Sequence, residues 1–253
     1  MLLTNVGRDV EIEIYSDVVC PWCYLGAARL EAALASADLA ADVVLRWRAF
    51  QLDPQTPRTA QPVLSWLGAR YGGEERARQM LSHVSELMRE ENLVFDVDRA
   101  VIANTFDAHR LLWFADQPSA VVFGATADTQ PDLARALHRA HFTEGRDISS
   151  VDTLAELAAD VDLDPDRVRD LLNSTEGTAD VRAQLAQAHD LGIFSVPTFV
   201  FAGKYAVTGA QPTDAFTSVL AEVARREKIA PTVSSLIPQQ RTAPAAEDDT
   251  RVS

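Results

Sequence analysis

Alternating apolar and polar positions mark the beginning of the chain as a β-strand. Residues 10–16 read Val-Glu-Ile-Glu-Ile-Tyr-Ser, and a period of two is typical of a strand with one buried face. A second strand is predicted over residues 43–50, which read Val-Val-Leu-Arg-Trp-Arg-Ala-Phe. Between them, residues 24–34 have the apolar spacing of a helix. The three elements form a β-α-β unit, so the two strands should be parallel.

The pattern becomes helical after a proline-rich loop and returns to strands near the end of the chain. Residues 52–62 carry three prolines, and from residue 63 to about residue 189 the apolar positions recur mostly at helical spacing. Short strands joined by a tight turn are predicted at 198–201 and 205–208. A last helix, starting near Pro212, has one apolar face. The order is therefore β-α-β, a helical block, and β-β-α.

The two cysteines of the chain lie in one motif, Cys20-Pro21-Trp22-Cys23, between the first strand and the first helix. A C-x-x-C at a helix start is the arrangement of a thioredoxin-like redox site. Proline suits the first helical position, so Cys20 should be the N-cap, where free N–H groups and the helix dipole favour its thiolate. Cys23 lies one turn later, on the apolar stripe of the helix. We therefore predict that Cys20 faces solvent and attacks disulfides, whereas Cys23 faces the core and resolves the mixed disulfide.

Half of a metal site is the alternative for a C-x-x-C motif. Tetrahedral zinc needs four ligands, typically with a second pair of Cys or His at short spacing. The sequence has no third cysteine, and its five histidines form no H-x₃₋₅-H pair. His138 and His141 are instead predicted to lie on a helix surface. We expect neither a metal nor another permanently bound cofactor.

Element order and motif together predict an α/β protein with a thioredoxin fold and a large all-helical insertion between its β-α-β and β-β-α halves. The thioredoxin-like domain is predicted to be discontinuous, comprising residues 9–62 and 190–228, with residues 63–189 as the helical insertion domain. Residues 229–253 are predicted to be a C-terminal tail. This tail is rich in Pro, Ser and acidic residues, and disorder is expected at least from residue 239.

The dipeptide Val196-Pro197 is the second candidate feature, because it directly precedes a predicted strand. A cis bond before proline is uncommon and usually marks a specific turn. A cis bond here would turn the backbone of Val196 toward Cys20, where it could pair with an extended substrate. An ordinary trans proline that opens a strand is the alternative. The predicted substrate contacts around the motif are Pro21, Trp22, Val196 and Pro197.

Composition and charge restrict the class of protein. The 253 residues are 47% hydrophobic and 24% charged, as in ordinary globular proteins, and the formal net charge is −14. This charge argues against nonspecific binding to nucleic acid or anionic membranes. No secretory signal and no segment of transmembrane length is visible, so a cytoplasmic location is expected. Disulfides are rare in a reducing compartment, and those that do form there are usually transient and catalytic.

Five motifs in order carry a resemblance to a known family. They are S-D-x-x-C-P-W-C-Y-x-G at 16–26, N-T-F-D-A-H-R at 104–110, F-T-E-G-R-D-I at 142–148, S-V-P-T-F at 195–199 and V-T-G-A-Q-P at 207–212. From about residue 10 to residue 227 the chain resembles the DsbA-family oxidoreductases of the FrnE type. This group belongs to the thioredoxin-like superfamily and is related to kappa-class glutathione transferases and 2-hydroxychromene-2-carboxylate isomerases. The resemblance implies thiol–disulfide oxidoreductase or isomerase activity, often in the cytoplasm.

The resemblance also implies a role for the segment 104–115, which matches a helix that borders the active-site groove. Asn104, Thr105 and His109 are the candidate polar contacts to substrate. His109 is in addition a candidate cation beside the attacking thiolate, or else an ordinary histidine of the core or groove. Asp17 is either a group that moves protons or a turn residue at a strand end. The candidate apolar residues of the groove wall are Phe106, Leu112 and Trp113.

Three functions remain open from the sequence. The leading one is a thiol–disulfide oxidoreductase or isomerase that acts on a protein or a small-molecule thiol or disulfide, with glutathione or a thioredoxin-type reductant as co-substrate. The alternative is a glutathione-dependent transferase or isomerase of a small metabolite, in which Cys20 contacts glutathione and does not cycle with Cys23. The third is a noncatalytic thioredoxin-like binding module, and the intact cysteine pair argues against it.

Overall fold

The structure is a computed structural model that describes residues 10–37 and 43–229. The β-strands in these ranges are β1 (Val10–Ser16), β2 (Val43–Ala49), β3 (Gln61–Pro62), β4 (Val101–Ile102), β5 (Thr198–Phe201) and β6 (Tyr205–Thr208). The α-helices are α1 (Pro21–Ser36), α2 (Val63–Tyr71), α3 (Glu74–Glu90), α4 (Phe106–Ala115), α5 (Thr129–Arg139), α6 (Val151–Ala159), α7 (Pro165–Leu172), α8 (Thr178–Asp190) and α9 (Thr213–Arg226). A π-helical turn, Ala140–Glu144, continues α5.

A four-stranded sheet of order β2-β1-β5-β6 forms the centre of the molecule. β1 and β2 run parallel, with Ile12 opposite Leu45, because α1 connects them as a crossover. β5 is antiparallel to β1, and β6 is antiparallel to β5. α9 packs against α1. This arrangement of β-α-β and β-β-α halves is the predicted thioredoxin fold.

The helices α2 to α8 lie between the two halves in sequence, and α4 to α7 share a continuous hydrophobic core with the sheet. Buried Trp47 of β2 belongs to the same cluster as Leu111 of α4 and Leu133 of α5. The side chain of Gln130 accepts a hydrogen bond from the Trp47 N–H at 2.9 Å, and that of Gln184 accepts one from a β2 N–H at 3.0 Å. The inserted helices therefore satisfy backbone groups that an edge strand would otherwise expose.

Most element boundaries follow local signals. Asp164 caps α7 by accepting hydrogen bonds from the N–H groups of Asp166 and Arg167 at 2.9 and 3.2 Å, and Pro165 is the first helical residue. The antiparallel pair β3–β4 was not expected, because two-residue strands some forty residues apart leave no local pattern.

Two expectations from the sequence concern the C-terminal tail and the lack of a membrane-spanning segment. The predicted C-terminal tail lies outside the described residues, except for residue 229 itself. Within the part of the chain that the structure describes, no helix combines the length and the apolar character needed to span a bilayer.

Candidate active site

The cysteine motif lies where β1 ends and α1 begins. The N–H of Cys20 donates to the carbonyl oxygen of Asp17 at 3.0 Å, and the Cys20 carbonyl accepts hydrogen bonds from Cys23 and Tyr24 at 3.0 and 3.2 Å. Cys20 is the N-cap of α1, and Pro21 is its first residue, as predicted. The free N–H groups and the positive end of the helix dipole therefore lie at Cys20.

Both cysteines are unpaired thiols, and both are buried. Cys20 is 3% exposed and Cys23 is 1% exposed, so the prediction that Cys20 faces solvent is wrong. The reason is tertiary: the Cys20 thiol points at the carbonyl oxygen of Val196, with the sulfur and oxygen atoms 4.0 Å apart. Burial, and then hydrogen bonding to Cys20, raises the pKa of the Cys23 thiol well above its ordinary value. Cys23 is therefore protonated at neutral pH.

The loop before β5 faces the motif. The peptide bond between Val196 and Pro197 is cis, and the Pro197 carbonyl accepts a hydrogen bond from the N–H of Gly209 at 2.8 Å. Gly26 of α1 lies against this loop, because a Cβ at that position would be 2.9 Å from Pro197 Cγ and 3.1 Å from Phe199 Cζ. Glycine at residue 26 thus allows α1 to approach the proline loop. Our sequence reasoning gave Gly26 no role, although a lone glycine inside a helix was an available signal.

Trp22, between the cysteines, connects the motif to the inserted helices. Its side chain is 39% exposed, and its ring centroid lies 6.0 Å from that of His83 on α3. Trp22 is therefore the residue of the motif that a substrate in solution can contact most readily.

Asp17 is a buried carboxyl group close to the motif. Its Oδ2 accepts a hydrogen bond from the N–H of Leu52 at 2.8 Å, and its Oδ1 lies 3.4 Å from His109 Nε2. The same histidine nitrogen lies 2.9 Å from the carbonyl oxygen of Phe50. Asp17 and His109 together hold the loop that follows β2, and His109 is only 3% exposed.

The predicted substrate contacts in the segment 104–115 occupy different environments. Asn104 and Thr105 precede α4, and the Asn104 side chain donates to the carbonyl oxygen of Thr56 at 2.8 Å and accepts from the N–H of Phe106 at 3.0 Å. Thr105 borders the cavity described below, whereas Asn104 and His109 do not. The side chain of Asn104 thus holds the loop that contains Thr56 against the beginning of α4.

A cavity of about 360 Å³, here named the Pro21 cavity, opens beside the motif. Its lining includes Asp17 and Pro21 from the motif region, and most of its apolar wall comes from α2, α3 and the segments after them. The apolar lining residues are Val19, Pro21, Leu52, Val63, Trp66, Leu67, Leu81, Phe95, Ile102, Ala103 and Phe142. Phe106, Leu112 and Trp113, the predicted apolar wall of the groove, do not line this cavity, because Leu112 is buried in the core and Trp113 packs against that core.

His138 and His141 are buried, so their predicted position on a helix surface is also wrong. They are 1% and 2% exposed, and the His138 ring stacks on Tyr24 with a centroid distance of 5.0 Å. Burial lowers the pKa of His138 to about 3 and that of His141 to about 4. Both imidazoles are therefore neutral at pH 7. Across residues 10–37 and 43–229, no three His, Cys, Asp or Glu side chains converge as a metal site would require.

The family model of the DSBA-like thioredoxin domain matches residues 11–221. The chain belongs to this family. Among solved structures, this DSBA-like protein is similar to the probable DsbA oxidoreductase SCO1869 of Streptomyces coelicolor. The two are 34% identical, the match covers 88% of this chain and 92% of that one, and the TM-score is 0.75.

Two further similar proteins extend the comparison. The uncharacterized protein YwbO of Bacillus subtilis (strain 168) is 26% identical over 220 residues, which cover 86% of this chain and 99% of YwbO. The cytosolic disulfide reductase DsbM of Pseudomonas aeruginosa, solved with GSH, is 21% identical with a TM-score of 0.57, and the match covers 85% of this chain and 99% of DsbM. At that identity, DsbM shows a common fold.

Proposed function

We propose that this DSBA-like protein is a thiol–disulfide oxidoreductase in which Cys20 attacks and Cys23 resolves. The observation that carries the proposal is the position of Cys20, at the N-terminus of α1 and opposite the Val196 carbonyl, with Cys23 buried behind it. The free N–H groups and the positive end of α1 lie at the first cysteine, and a thiolate is the form that attacks disulfides. The raised pKa keeps a proton on the second cysteine until it is needed.

The reaction balances as a two-electron exchange. The Cys20 thiolate attacks one sulfur of the substrate disulfide, a Cys20–substrate disulfide forms, and one substrate thiolate leaves and takes a proton. Cys23 then loses its proton, attacks Cys20 and releases the second substrate thiol. The substrate disulfide is reduced to two thiols, and Cys20 and Cys23 become a disulfide. A low-molecular-weight thiol such as glutathione, or a thioredoxin-type reductant, would return the pair to dithiol.

The groups around Cys20 support contact with an extended substrate. The carbonyl oxygen of Val196 lies 4.0 Å from the sulfur, and Trp22, the most exposed residue of the motif, offers an aromatic surface two residues after Cys20. Pro21, Trp22, Val196, Pro197 and Thr105 are the proposed substrate contacts. The reducing cytoplasm is the proposed setting, where such a pair works as a transient disulfide.

Matched cysteine variants test the proposal. Cys23→Ser should accumulate a mixed disulfide on Cys20 when it is mixed with a disulfide substrate, because the resolving thiol is missing. Intact-protein mass spectrometry measures the adduct, and Cys20→Ser is the control that should form none. Full turnover by Cys23→Ser would contradict the assignment. Glutathione conjugation of a small electrophile that persists in Cys23→Ser would support the transferase alternative.

A further inference from the structure

The Pro21 cavity has the size and position to receive part of a substrate. An apolar cavity of roughly 150 Å³ can hold benzene, and the Pro21 cavity measures about 360 Å³. Pro21 in its wall is the residue next to Cys20, so an occupant of the cavity can be joined to the attacked disulfide by a short link. Ligand sites of this kind are mostly apolar, with a few polar groups that fix orientation.

The polar residues of the Pro21 cavity disfavour a negatively charged occupant. Asp17 contributes a carboxyl group, and His141 is neutral because burial lowers its pKa to about 4. Of the described lining residues, Arg70 alone carries a permanent positive charge. Its guanidinium lies 3.9 Å from the centroid of the Trp66 ring and pairs with Asp53 at 3.0 Å. An anion that entered the cavity would lose hydration, would meet the carboxyl groups of Asp17 and Asp53, and would compete with Asp53 for Arg70.

We propose that the Pro21 cavity binds an uncharged aromatic or branched apolar group attached to the disulfide that Cys20 attacks. The inference rests on the proposed function and adds a substrate class to it. Disulfides that carry such a group should react faster than glutathione disulfide, because each half of glutathione disulfide carries a net negative charge at neutral pH. The apolar group has two potential sources, a small molecule or a residue next to cysteine in a polypeptide.

Two neutral disulfides test the preference with the reacting atoms held constant. They are the disulfide of N-acetylcysteine benzylamide and that of N-acetylcysteine methylamide, and the first should have a kcat/KM higher by about tenfold or more. A parallel pair, the disulfides of acetyl-Phe-Cys-amide and acetyl-Ala-Cys-amide, places the apolar group on a peptide. Preference within the first pair alone assigns the group to a small molecule, and preference within the second pair alone assigns it to a polypeptide.

A cavity-filling variant tests the location. Leu67→Trp on α2 should abolish the preference, measured as the ratio of kcat/KM for the benzylamide and methylamide disulfides within the same variant. Val122→Trp is the matched control, because Val122 is 80% exposed and outside the cavity, and it should keep the preference. Leu81→Trp on α3 is a second filling variant for the case in which Leu67→Trp does not fold. A preference below about threefold in both substrate pairs, or one that survives both filling variants, overturns the proposal.

A binding measurement separates this proposal from the proposed function. In the Cys20→Ser/Cys23→Ser protein, 2-naphthylmethanol should bind by calorimetry, and Leu67→Trp should weaken the binding by about tenfold or more. If the probe binds in this way while the wild type reduces no disulfide, the proposed function fails and the cavity assignment stands. If disulfides are reduced without preference and the probe does not bind, the cavity assignment fails and the proposed function stands.

Discussion

Two buried histidines should make this protein lose stability as the pH falls from neutral. Burial lowers the pKa of His138 to about 3 and that of His141 to about 4, whereas each imidazole has a pKa of about 6.5 in an unfolded chain. Between the folded and unfolded values, the unfolded state binds protons that the folded state does not. The free energy of unfolding therefore decreases as the pH decreases through 6.5 and continues to decrease until the folded-state values are reached.

The size of the loss follows from these values. At pH 5, which is above both folded-state values, the unfolded state gains about 2 kcal/mol from each histidine relative to pH 7. The pair accounts for about 4 kcal/mol, a large part of the roughly 5–15 kcal/mol by which domains are stable. Carboxyl groups with ordinary pKa values stay mostly ionised at pH 5, so the histidines should dominate the change.

Urea unfolding at pH 7 and pH 5 measures this loss. His138→Phe and His141→Phe keep a planar ring that cannot titrate, and each should lose about 2 kcal/mol less than the wild type between the two pH values. His189→Phe is the control, because the His189 side chain is 76% exposed, and it should behave as the wild type does. A wild-type loss below about 1 kcal/mol, or an equal loss in all variants, would refute the reasoning.

Three further substitutions probe the contacts around the site. Gly26→Ala should lower the free energy of unfolding by about 1–3 kcal/mol and slow disulfide exchange, because the added Cβ would meet Pro197; faster exchange or a higher melting temperature would contradict this. Arg110→Met should lower the free energy of unfolding, measured with urea, by about 3–5 kcal/mol, because the guanidinium donates to carbonyl oxygens such as those of Leu171 and Ser174 at 2.6 and 2.9 Å. The rate of disulfide exchange per folded molecule should be unchanged. His109→Ala should lower the melting temperature while sparing selectivity between substrates, and the opposite result would place His109 in contact with substrate.

Local sequence signals were sufficient to predict the main strands and helices of the thioredoxin fold and their order. The alternation in Val10–Ser16 predicted β1, and the tight turn after residue 201 predicted the β5–β6 hairpin. The turn contains Ala202 and Gly203 with φ of 51° and 63°. Proline after Cys20 predicted the N-cap of α1, because that preference depends only on neighbouring residues. The order of these elements along the chain was enough to indicate the thioredoxin fold.

Burial was decided by the tertiary structure alone. Cys20 is covered because the Val196 loop, 176 residues away in sequence, packs over it. His138 and His141 face the interior because Tyr24 of α1 and neighbouring aromatic rings lie against them. The Pro21 cavity exists because α2 and α3 leave space beside the motif. Periodicity shows which residues share a face of one helix, but which face is covered depends on distant elements that local pattern does not encode.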